Sequence, residues 1–167
     1  MKKLLLLFCL LAAVSANAQI RSYSDNASNT FVVGLDSYFF GASGALGFQV
    51  AGRSCQAAID DGTVSVSGNV LETGEADAVI GTHDFTGDRN PELMVARRTE
   101  NAVKANVYTY AGGKWKLIGQ MAVPGGQEIR IFRQVISVRR DDVLCSWTWH
   151  KAKFDYKASD GSDEPTL

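Results

Sequence analysis

The chain has 167 residues, 46% apolar and 21% charged, with 17 Lys and Arg against 18 Asp and Glu for a net charge of -1. That apolar share excludes a disordered chain, and the absence of a basic block excludes the electrostatic footprint of a nucleic-acid or anionic-lipid binder. Beyond the N-terminus no apolar run reaches the roughly eighteen residues of a bilayer span.

Met1-Lys2-Lys3 is a positive n-region, Leu4 to Val14 an apolar core, and Ala16-Asn17-Ala18 a small-x-small cleavage site. This three-part order predicts a secretory signal over residues 1–18 and a mature chain that begins at Gln19. Export to the periplasm, the cell surface or the medium follows, and the loss of Lys2 and Lys3 takes the net charge from -1 to -3. Residues 19–30 are polar, without apolar period, and read as a flexible leader. Residues 31–157 read as one domain, and residues 158–167, with Asp160, Asp163 and Glu164, as a mobile acidic tail.

Two cysteines, Cys55 and Cys145, remain after cleavage. In an oxidising compartment they are candidates for a disulfide, worth roughly 4–5 kcal/mol through the unfolded chain. Alternatively Cys145, in an alternating run, is a reduced core residue.

Within the domain the apolar period is two. The segment 34–52, with five glycines among Phe39, Phe40, Leu46 and Phe48, has the weakest pattern. Gln56–Ile59 and Thr63–Ser67 flank the tight turn Asp61-Gly62. Val103–Tyr110 alternates, turns at Ala111-Gly112-Gly113-Lys114, and resumes with Trp115, Leu117, Gly119, Met121 and Val123 on one face, a β-hairpin. Pro124-Gly125-Gly126 ends that strand and Glu128–Phe132 begins the next. Val135–Val138 and Val143–Trp149 flank a charged turn at 139–142, and Phe154 and Tyr156 follow a turn near Lys151. The best helical candidate, Ser54 to Asp60, is short. An all-β fold of antiparallel hairpins, with about ten to twelve strands, is predicted.

The segment that carries chemistry runs from Asp84 to Ala96. Asp84, Thr86, Asp88, Asn90 and Glu92 place oxygen at positions 1, 3, 5, 7 and 9 of one loop. In a curled loop such donors converge, and their number and type suit Ca2+, which takes about six to eight oxygens. An EF-hand is excluded: it needs an acid at position 12, where Val95 stands, a Gly at position 6, where Arg89 stands, and flanking helices, where Ala76–Ile80 and Leu93–Ala96 read as strands. A turn without metal is the other reading, with Asp84 capping backbone donors and Glu92 as a solvated strand start.

A strand, a nine-residue acidic loop and a second strand resemble the FG-GAP and VCBS-type repeats of integrin-α-like β-propellers, with Asp84, Gly87, Asp88 and Leu93 in register. The resemblance covers about residues 76–123. Thr86, Arg89 and Glu92 stand where the repeat has Asn or Asp, Gly, and Asp. It implies a calcium-binding loop and blade-like sheets. With one copy visible and too few residues for a whole propeller, a small sandwich or a partial, blade-like propeller is expected.

His83 beside the loop reads as a strand-end residue, and His150, after Trp149 near a charged turn, as a solvated turn residue. Trp147 and Trp149 share parity with Val143 and Cys145 and read as core. The other reading gathers Trp115, Trp147 and Trp149 with Tyr108, Tyr110 and Tyr156 into an aromatic platform for sugar or peptide. The arginines are dispersed. The function expected from these features is an exported, non-enzymatic recognition module with a calcium-type loop, binding a protein or glycan at the cell envelope. The alternatives are a small metal-dependent envelope hydrolase and an inhibitor or immunity protein that blocks an enzyme.

Overall fold

The computed structural model describes residues 31–165, so the signal, the leader at 19–30 and Cys9 lie outside the described residues. Two short N-terminal strands, β1 (Val32–Val33) and β2 (Ser37–Gly41), precede three antiparallel meanders of four strands each. The first comprises β3 (Ser43–Val50), β4 (Arg53–Asp60), β5 (Thr63–Val66) and β6 (Asn69–Thr73). The second comprises β7 (Ala78–His83), β8 (Glu92–Arg98), β9 (Ala102–Ala111) and β10 (Lys114–Pro124). The third comprises β11 (Glu128–Phe132), β12 (Val135–Arg140), β13 (Val143–His150) and β14 (Lys153–Ala158). Among the described residues there is no helix, and Ser54 to Asp60 lies within β4, paired with β3 and β5. The fold is therefore all-β and sandwich-like, as its period-two pattern predicts.

The three sheets stack with the second meander in the middle. β2 extends that sheet by pairing with β7, and β1 extends the third by running parallel to β11. Side chains alternate across a strand, so β7 and β8 split their apolar residues between two cores. Ala78, Ile80, Leu93 and Val95 meet Ala57, Ile59, Val64 and Val66 of the first meander. Val79, Met94 and Ala96 meet Ile129, Ile136, Val138 and Trp147 of the third. A strand covered on both sides reads as a continuous apolar run, which is what Ala78–Ile80 and Leu93–Ala96 are. Each fully buried Ile, Leu or Met of these cores stabilises the fold by about 1.5–3 kcal/mol.

The register of β10 shifts between Leu117 and Gly119, a β-bulge. The extra residue reverses the side-chain parity. Trp115 therefore packs toward the first meander, while Met121 and Val123 face the third. The single face expected for Trp115 through Val123 is thus divided in two.

Trp147 and Cys145 are buried between the second and third sheets, whereas Trp149 is only half-buried, against Phe154. Cys55 sits at the margin of the other core, and both cysteines are free. The Cys55–Cys145 disulfide is not formed, because the middle sheet separates the two cores. In the glycine-rich segment, a Cβ on Gly44 would overlap the Phe39 ring, so the absent side chain lets β2 and β3 cross closely. Ala158, which the sequence places in the tail, is the buried last residue of β14, and Glu164 reaches back to accept the Trp147 indole N–H at 2.6 Å.

Candidate functional site

The loop between β7 and β8 gathers hairpin tips from all three sheets at one end of the molecule. Asn90 Oδ1 accepts the backbone N–H of Ala51, at the β3–β4 turn, at 3.2 Å. Glu92 accepts the Thr109 hydroxyl, near the end of β9, at 3.2 Å. His83 Nε2 donates to the carbonyl of Arg133, at the β11–β12 turn, at 2.7 Å, and its Nδ1 lies 3.2 Å from the Asp36 carboxylate. Gly87 has φ +77 and packs on Gln134, where a Cβ would strike the Gln134 amide. The loop is a junction.

Its acids serve that junction. Asp84 accepts three backbone N–H groups, from Gly87 at 2.7 Å, Asp88 at 3.1 Å and Arg89 at 3.0 Å. Asp88 accepts the Asn90 N–H at 2.7 Å, a local Asx-type turn. Glu92 turns the other way, into the sheet, where it accepts the Thr86 N–H at 3.1 Å and the Thr86 hydroxyl at 3.2 Å. Its relative exposure is 1%, so Glu92 is no solvated strand start. Burial raises its carboxyl above the ordinary value, and the hydrogen bonds from Thr86 offset part of that rise.

The five spaced donors therefore share one loop without forming a cradle. Among the described residues no group of three or more His, Cys, Asp and Glu is placed to hold a metal ion. As folded, Asp84 and Glu92 turn their oxygens to the loop's own N–H and hydroxyl groups. This arrangement is the capped turn that the same residues also allow.

Two features escape the sequence. The first is a buried polar knot between the first two meanders. Glu72 accepts Arg97 Nε at 3.2 Å, Asn106 Nδ2 at 2.7 Å and the Tyr108 hydroxyl at 2.6 Å. Arg97 also donates to the carbonyls of Gly62, at 2.9 Å, and Glu75. With Arg97 and Glu72 both satisfied, the knot is a structural tie. Burial and the adjoining Glu72 carboxylate raise the Tyr108 phenol well above its ordinary value, so it stays a donor.

The second is a cleft of about 390 Å³ between the first and second meanders, at the same end as the loop. The bulge in β10 turns Trp115 toward it. Tyr110 and Trp115, paired across the β9–β10 hairpin, have ring centroids 5.5 Å apart, and Phe48 supports Trp115 edge-on at 5.8 Å. From the first meander Arg53 donates to the Tyr110 hydroxyl at 3.1 Å, with its guanidinium 5.9 Å above the ring centre. Ser54, Asn69 and Lys114 add polar groups to the walls. Tyr110 and Trp115 are legible as aromatic residues at a hairpin tip. Arg53 and Asn69 are not, since only the packing of two meanders brings them there.

Comparison of the chain with protein-family models, with curated proteins and with solved structures returns no match.

Proposed function

We propose that this chain is an exported, non-enzymatic recognition module that binds a partner of the cell envelope, a protein or a glycan, in the cleft between its first two meanders. The observation that carries this reading is the Tyr110–Trp115 pair, half-buried at the mouth of a cleft of about 390 Å³ and flanked by polar side chains. Aromatic faces supply contact area and the few polar groups fix orientation, the usual composition of a recognition site. Rigid strands on both sides hold these groups in place before a ligand arrives, which lowers the ordering cost of binding.

The signal-like N-terminus supports export. The three consecutive four-stranded meanders support the likeness to propeller-type repeats, each meander standing as a blade and the Asp84–Glu92 loop as the turn of the second. The absence of a helix long and apolar enough to cross a membrane among the described residues is compatible with this role.

Affinity electrophoresis of the mature chain through gels containing a panel of envelope polysaccharides, acidic and neutral, tests the reading. At least one polysaccharide should retard the wild type and not Trp115→Ala, both run well below the melting temperature of the variant. No retardation by any of them, or equal retardation of the variant, would overturn glycan recognition at this cleft.

A further inference from the structure

The walls of the cleft carry two cations, Arg53 and Lys114, and no carboxylate. Neither cation has an acidic partner among the described residues, in a chain whose acids outnumber its bases. Arg53 is exposed, yet its position is set: Tyr110 accepts one of its N–H groups and lies beneath its guanidinium. The other donors of the fork remain for a ligand. A planar fork held over an aromatic ring matches a carboxylate in two parallel hydrogen bonds, a geometry a lysine does not offer. Beside it the half-buried rings of Trp115 and Tyr110 line the cleft, and aromatic rings are the usual cover for the apolar C–H side of a pyranose.

We infer that the cleft binds an acidic saccharide, a uronic-acid-bearing glycan whose ring lies against Trp115 and Tyr110 and whose carboxylate meets Arg53, with Lys114 as a second positive charge. This rests on the recognition reading above and narrows it to one ligand class. Ser54 and Asn69 also line the cleft and offer hydrogen-bonding groups suited to sugar hydroxyls. A neutral glycan would leave the Arg53 fork unmatched, and an acidic peptide would leave the aromatic faces without a ring to cover.

Calorimetric titration of the mature chain with oligogalacturonate, with a neutral galactose oligomer of equal length and with oligoglutamate tests the inference. Oligogalacturonate should bind, more weakly as salt is raised, and the other two should not. Arg53→Ala should weaken that binding about tenfold, the loss of one charge-assisted contact. Arg53→Lys should recover only part of it, and Trp115→Ala should remove it. Arg53 is exposed and outside both cores, so its variants are expected to melt with the wild type. Equal binding of the neutral oligomer would overturn the acidic ligand while leaving a glycan-recognition cleft in place. Equal binding of oligoglutamate would overturn the saccharide, and binding of none would overturn both.

Discussion

Glu92 closes the β7–β8 loop onto its own start: its carboxylate accepts both the backbone N–H and the hydroxyl of Thr86, at 3.1 and 3.2 Å. The same carboxylate accepts the Thr109 hydroxyl on the neighbouring strand, so one buried side chain joins loop and sheet. Replacing it with Ala leaves these donors without an acceptor and should cost about 2–3 kcal/mol of unfolding free energy in a urea melt.

The pH dependence of that residue has a definite sign. Burial holds the Glu92 carboxyl above its unfolded value. Its contribution is therefore fully present below the unfolded pKa and is lost as pH rises through the raised native one. Glu92→Gln keeps an acceptor and removes the titration. The stability of Glu92→Gln relative to wild type should improve between about pH 4 and about pH 7, read from urea melts at each pH.

The capped loop also makes a statement about calcium. Asp84 already holds three N–H groups, so most of its acceptor capacity serves the loop's own backbone. Millimolar calcium should leave the melting temperature of the mature chain where chelator leaves it, since an ion that does not bind the native state cannot stabilise it. Asp84→Ala should lower stability by about 1–2 kcal/mol, as the loss of a capping carboxylate does, and equally with or without calcium.

How far these features can be read from the chain depends on their range. The strands are legible because the period of two persists wherever one face is buried, as in Val103–Tyr110, and becomes a continuous run at Ala78–Ile80. Faces are less legible: one extra residue near Ile118 sends Trp115 and Met121 to opposite cores, and nothing in the local pattern marks it. Glu92 reads as solvated because its three donors, two from Thr86 and one from Thr109, are supplied by the fold. The spacing of the acids is the same whether their oxygens converge on an ion or on backbone N–H groups, so spacing alone leaves both open. The cleft lies beyond local reach altogether, since Arg53 and Tyr110 are 57 residues apart and meet only when two meanders stack.

The cysteines are free in spite of the predicted export. Cys145, on the third sheet, is wholly buried against the second, and Cys55 lies at the margin of the other core. A thiol titration of the denatured mature chain should find two reactive groups, and a reducing agent should not change its melting temperature. In the native protein Cys55 should react first, because Cys145 has no exposure to solvent.

The C-terminal segment is tied to the core by the bond from the Trp147 indole to Glu164. Glu164→Ala would leave that indole N–H without its partner at a nearly buried position. A loss of about 1–2 kcal/mol is expected in a urea melt, along with a change in Trp147 fluorescence.

The most direct measurement of where this protein recognises its partner is an amide chemical-shift titration of the mature chain with oligogalacturonate. Recognition at the cleft predicts saturable shifts gathered on Arg53, Ser54, Tyr110, Lys114 and Trp115, with the β13–β14 hairpin unmoved. Shifts gathered on another face, or none at any ligand concentration, would contradict it.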